Sequence, residues 1–125
     1  MSGDPSFEIP ARPRRQFSRT GLSYEGETVF RLTPAADRAT EDLAALVATV
    51  LDEGPYRHGD FLELPMPLWL VRDDETADVF RVSVREGRVR LHVLPETEPA
   101  GLRRLYDRID DRTDHGWSVD CRTDG

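Results

Sequence analysis

Residues 61–95, FLELPMPLWLVRDDETADVFRVSVREGRVRLHVLP, read as a β-meander of three strands and two turns. The second turn sets the pairing. In Arg85-Glu86-Gly87-Arg88, glycine stands where a two-residue hairpin needs positive φ, so Glu86 and Gly87 make the tight turn. Val84 then faces Val89, Val82 faces Leu91 and Phe80 faces Val93. Strand side chains alternate, so these six share one face, and Arg81, Ser83, Arg85, Arg88, Arg90 and His92 share the other. A slip of one residue would drive arginines into the core, which specifies this register strongly.

The preceding strand, Leu68 to Arg72, reverses through the polar run Asp73 to Ala77. Pairing Arg72 with Asp78 sets Leu70 against Phe80 on the buried face and Trp69 beside Arg81 and His92 on the outer one. A turn of another length would send Trp69 into the core instead. Pro65 and Pro67 cannot donate to a ladder, so Met66 marks the entry of this strand, and Phe61 to Leu64 is an extended lead-in.

Upstream, Leu22 to Leu32 (LSYEGETVFRL) reads as a hairpin about Glu25-Gly26, or as one strand from Glu27 to Leu32. Thr33 and Pro34 have the chemistry of an N-cap and a first helical residue. Ala39, Leu43, Leu46, Val47, Val50 and Leu51 follow at helical spacing, and Gly54-Pro55 ends that helix with a left-handed glycine. Tyr56 to Asp60 is expected as a loop. Downstream, Glu96-Thr97-Glu98-Pro99 starts a second helix running to about Arg112, with Leu102, Leu105, Tyr106 and Ile109 as its buried stripe. Trp117 to Cys121 alternates as a last strand, its cysteine on the same face as Trp117 and Val119 and so expected to be buried. The fold class is α+β: a two-layer sandwich in the order β(β)-α-βββ-α-β, with a mostly antiparallel sheet of four to six strands, a central three-stranded meander and both helices on one face.

A chain of 125 residues makes one domain, taken as 20–123. Residues 1–19 are rich in proline and arginine and carry +2 (Arg12, Arg14, Arg15 and Arg19 against Asp4 and Glu8), while the remainder carries −9 of the total −7. That reversal suits either a flexible solvated tail or an arm for nucleic acid or an acidic partner; Phe7, Ile9 and Phe17 could instead pin it across the domain. No apolar run approaches the roughly 20 residues of a spanning helix, and the stretch MSGDPSFEIPARPRR has no apolar core of a secretory signal. One cysteine, Cys121, excludes an internal disulfide framework and suits a reducing cytoplasm.

All 17 basic residues are arginine, against 24 Asp and Glu. Such a lysine-free, acidic surface stays soluble where salt screens charge strongly. In composition and texture the whole chain resembles small acidic cytoplasmic proteins of salt-loving archaea, although GC-rich codon usage would also turn lysine into arginine. The resemblance carries no active residues with it.

No catalytic residue, metal site or cofactor is expected. His58, His92 and His115 have no ligand spacing on a shared helix, the glycines form no phosphate loop, and Ser18, Ser23 and Ser83 lack the context of an activated nucleophile. If both helices cover one sheet face, the other shows Trp69, Val71, Val79, Arg81, Arg90 and His92. Trp69, Arg81, Arg90 and His92 are therefore the expected binding face, for a protein partner or a second copy of the chain. An RNA- or ribosome-associated role would use the Arg12, Arg14, Arg15 and Arg19 arm with the same arginines and tryptophan. A third expectation is a small-molecule or hydrolytic site with His58 and Asp60 at a pocket mouth.

Overall fold

The computed structural model describes residues 7–10, 14–18, 21–60, 68–113 and 116–124. In chain order these form β1 (Arg14–Ser18), β2 (Gly21–Glu25), β3 (Glu27–Pro34), α1 (Thr40–Glu53), β4 (Tyr56–Asp60), β5 (Leu68–Asp73), β6 (Val79–Arg85), β7 (Arg88–Val93), α2 (Pro99–Asp111) and β8 (Trp117–Asp124). Six strands make one sheet in the order β4-β5-β6-β7-β3-β8, antiparallel throughout. β1 and β2 form a separate antiparallel ribbon. The expected α+β sandwich is present, with both helices on one face of an open sheet.

The β6–β7 hairpin has the expected register, Val84 opposite Val89 and Phe80 opposite Val93, and both turn residues take positive φ, 55° at Glu86 and 71° at Gly87. Its inward residues meet Phe30 and Leu32 of β3, and are roofed by Leu43, Val47 and Leu51 of α1 and Leu102, Leu105 and Ile109 of α2. Phe7 is also buried, its ring 5.2 Å from Phe30 and 5.6 Å from Tyr106, and Ile9 packs beside it. Residues near the start of the chain are thus stitched to the helix side.

Four local expectations are corrected. Thr33 and Pro34 end a strand rather than open a helix: Thr33 faces Ser118 and Pro34 faces Trp117 on β8, and α1 begins at Thr40 after the cap residue Ala39. Pro34 lacks an N–H, which a strand end tolerates. Gly54 closes α1 in an extended conformation (φ −91°), not a left-handed one. It is needed for space, since a Cβ there would lie 2.5 Å from the Tyr56 ring. Residues Tyr56 to Asp60 form edge strand β4 against β5 instead of a loop. The segment 21–25 pairs with 14–18, not with β3, so part of the expected flexible tail is a strand. Met66 and the lead-in Phe61 to Leu64 lie outside the described residues.

Candidate interaction face

The turn between β5 and β6 decides which side chains lie on the sheet face away from the helices. Asp73 donates its N–H to the Asp78 carbonyl (2.9 Å), and Ala77 donates back to the Asp73 carbonyl (2.8 Å) with φ 64°. The Asp73 side chain accepts from the N–H groups of Glu75 (2.8 Å) and Thr76 (3.3 Å) and, at its other oxygen, from Arg104 Nε of α2 (2.9 Å). Asp78 accepts from Gly101 N–H in the first turn of α2 (2.6 Å), serving as a cap from outside the helix where Glu98 makes no side-chain cap. These bonds hold Asp73 and Asp78 opposite one another, so Arg72 pairs with Val79 and Val71 with Phe80.

That is one residue away from the expected pairing of Arg72 with Asp78, and the slip inverts every side chain of β5. Trp69 and Val71 enter the core at 8% and 0% exposure, and Leu70 becomes the exposed large hydrophobic residue at 41%. Trp69 is thus removed from the expected binding face, and Leu70 and Arg72 replace it.

The two aspartates titrate in opposite senses. Burial disfavours the Asp73 carboxylate, but the hydrogen bonds from Glu75, Arg104 and Thr76 outweigh it and hold its pKa below the usual 3.8. Burial dominates at Asp78 and raises its pKa above 3.8 despite the Gly101 bond. Asp73 therefore adds stability at neutral pH that is lost as pH falls through its lowered pKa. Asp78 subtracts stability as pH rises from its unfolded value through its raised one. Asp78→Asn, which keeps an acceptor for Gly101, is expected to raise the melting temperature at pH 7 and to change little below pH 3.8. Asp73→Asn is expected to cost about 2 kcal/mol at pH 7. Thermal melts between pH 3 and 7 check both signs; a D78N protein less stable than wild type at pH 7 would contradict the assignment.

On the face away from the helices, where Ser83 and Val29 are nonetheless buried, residues directly opposite each other form rows across the sheet. One row runs Gly59, Leu70, Arg81, His92, Val29 and Arg122; the next runs Leu68, Ser83, Arg90, Arg31 and Asp120. Arg57 faces Arg72 in a third, and Arg85 faces Arg88 in a fourth. Eight of the 17 arginines (Arg31, Arg57, Arg72, Arg81, Arg85, Arg88, Arg90 and Arg122) lie on this face. Three cross-strand pairs are arginine on arginine, an arrangement that costs stability in the absence of counter-charge.

The counter-charge is partial. Arg31 grips Asp120 with two bonds of 2.7 and 3.0 Å, which lowers the Asp120 pKa. Arg57 lies 3.3 Å from Asp74, and Glu86 serves both Arg85 (3.6 Å) and Arg90 (3.7 Å). Arg72, Arg81, Arg88 and Arg122 make no ion pair or side-chain hydrogen bond among the described residues. Arg81 Nε and Arg90 Nε are shut off from solvent without an acceptor. His92 Nε2 is 2.7 Å from Ser83 Oγ. Thus Arg81, Arg90 and His92 do share one surface, as expected, and Arg31, Arg57, Arg72 and Arg122 join them only through the sheet order.

No Phe, Tyr or Trp among the described residues occupies this face. Of the basic arm, Arg14 and Arg15 lie in β1, and Arg12 and Arg19 lie outside the described residues. His58 belongs to the helix side, its Nε2 3.0 Å from Asp52 Oδ1 on α1. Cys121 is exposed rather than buried, because β8 is an edge strand, and partial desolvation raises its thiol pKa, away from the reactive thiolate. Among the described residues no group of three or more His, Cys, Asp or Glu is placed to hold a metal ion, and no helix is long and apolar enough to cross a membrane.

The chain matches no family model, no curated protein and no solved structure. Its function is argued from the face alone.

Proposed function

We propose that this chain is a small cytoplasmic interaction module, without catalytic chemistry of its own, that docks an acidic protein surface on its arginine-bearing sheet face. The observation that carries the reading is the set Arg72, Arg81, Arg88 and Arg122, which make no ion pair or side-chain hydrogen bond among the described residues in a chain of net charge −7. Asp120, Asp74 and Glu86 pair with Arg31, Arg57, Arg85 and Arg90, and Asp120 also feels the charge of Arg122 and Arg88, so three carboxylates are shared among eight arginines. Arg72 and Arg122 stand exposed and open to a partner's carboxylates, while the Nε groups of Arg81 and Arg90 are desolvated with no acceptor among the described residues, a cost that carboxylates brought to this face would offset. The cytoplasmic part of the proposal rests on the lone cysteine and the acidic, lysine-free composition.

Two neighbouring readings are less well supported. A two-fold dimer through this face would bring arginines against arginines, since such an interface repeats the same patch on both sides. Single-stranded RNA is held largely by base stacking, and with Trp69 in the core no aromatic platform lies on this face among the described residues.

The test combines light scattering of the purified protein, with its 260/280 nm absorbance ratio, and capture of partners by wild type and by the double variant Arg81→Glu, Arg122→Glu. A nucleic-acid-free monomer that retains an acidic protein, lost in the folded double variant, is the expected result. A dimer that the double variant splits would establish self-association instead, and co-purified nucleic acid released by salt would establish a polyanion ligand.

A further inference from the structure

The sheet face away from the helices is not uniform: Ser83 and Val29 in its middle are buried, whereas its β4–β5 corner is open and has the features of a peptide site. A wide-mouthed depression of about 480 Å³ opens there, lined by Arg57, Gly59, Leu70, Arg72 and Val79 together with their strand neighbours His58 and Val71. It exists because Gly59 stands directly opposite Leu70 and contributes no side chain, with nothing within 4 Å of where a Cβ would be. Leu70 forms the apolar floor at 41% exposure. Arg57 and Arg72, opposite one another one row along, form a cationic wall. Arg57 is 77% exposed and its link to Asp74 is long, so an incoming carboxylate can replace that weak ion pair at little cost.

Among the described residues β4 is the outermost strand on this side of the sheet. An extended segment laid along an outer strand places its side chains in register with the host, alternating between faces. A residue opposite Gly59 would rest its side chain over the glycine and onto Leu70. The residue two positions away falls opposite Arg57, within diagonal reach of Arg72. Resting on the proposed docking function, we infer that this corner is the anchor point, and that its ligand is an extended acidic segment carrying an aliphatic residue two positions from a carboxylate. Arg81 and Arg122, further along the row of Gly59 and Leu70, would hold the remainder of the acidic surface.

The inference is tested by fluorescence anisotropy with three labelled probes of equal charge: an Asp/Glu octapeptide with one central leucine, the same peptide with serine there, and a single-stranded RNA. Three proteins are compared: wild type, Gly59→Val, and the double variant Arg57→Glu, Arg72→Glu. Gly59→Val fills the depression, and because valine suits a strand better than glycine, its melting temperature should equal or exceed that of wild type. Wild type is expected to prefer the leucine peptide to the serine peptide by about tenfold, the value of seating one aliphatic side chain. Gly59→Val should erase that preference while leaving the affinity for the serine peptide unchanged, and the double variant should weaken both peptides. Equal binding of the two peptides by wild type, or a preference that survives Gly59→Val, would overturn the anchor site and leave the broader docking function standing. Binding of the RNA in preference to both peptides, or of no probe at all, would overturn both.

Discussion

Trp69→Ala is expected to destabilise the protein by about 4 kcal/mol, while Leu70→Asp, one residue along the same strand, costs less than about 1 kcal/mol. Trp69 stands opposite Val82 in the interior layer and belongs to the same buried cluster as Phe80 and Val71. Truncating it removes the indole and leaves a cavity that strands fixed on both sides cannot close, and cavity costs add to transfer costs. For a domain of this size the melting temperature should fall by roughly 15 °C. Leu70 projects from the opposite face, so a carboxylate there stays in water beside Arg81. Chemical denaturation of the two variants reads the β5 register directly. The reverse order of stabilities would place Leu70 in the core and restore Trp69 to the surface.

Gly101→Ala should cost about 3 kcal/mol, although alanine is the better helix former by about 1 kcal/mol. The added Cβ would lie 2.5 Å from both Cβ and Oδ2 of Asp78. Neither atom is the loose end of a long side chain: Asp78 is 5% exposed and fixed by its turn, so α2 itself must lift. Lifting breaks the 2.6 Å bond from Gly101 N–H, a bond to a carboxylate that is stronger than a neutral one. It also loosens Arg104 from Asp73, and with it the turn that orients Leu70 and Arg72. Urea melts of Gly101→Ala and of a surface control such as Ala45→Gly, at an exposed position of α1, separate this clash from ordinary helix propensity; a G101A protein at or above wild-type stability would refute the packing described.

The parts of the fold that could be read from sequence are those whose signals are local and redundant. Glu86-Gly87 fixed a hairpin whose six inward residues all agreed, and Pro99 with the stripe Leu102, Leu105 and Ile109 marked α2. β5 was not redundant in this way. In LWLVRD both alternating sets, Leu68 with Leu70 and Trp69 with Val71, are apolar, so only the turn could choose between them. That turn depends on Arg104 and Gly101, which are remote in sequence. Tyr56 to Asp60 looked like a loop because arginine, histidine, glycine and aspartate carry no strand pattern, yet an edge strand needs little beyond its backbone pairing with β5. Thr33-Pro34 was a sound helix start by chemistry, overridden by pairing along the whole of β3 with β8. The candidate face was half visible: Arg81, Arg90 and His92 follow from the hairpin, whereas Arg31, Arg57, Arg72 and Arg122 reach it only through strand neighbours that the sequence does not state.

The position of β3 has a consequence for how the chain finds this structure. The strands from β4 to β7 follow one another and can zip up through near neighbours, but β3 must be received between β7 and β8, whose Asp120 is 89 residues from its partner Arg31. Closing such long loops adds only logarithmically to the entropy lost, so equilibrium stability suffers little, whereas the search for the pairing is slow. Until β3 arrives, the rim of β7 is an open ladder and the hydrophobic layer beneath lacks Phe30 and Leu32. The strand that completes the sheet is thus also its latch, and an incompletely latched chain exposes the surface most prone to pairing with its neighbours.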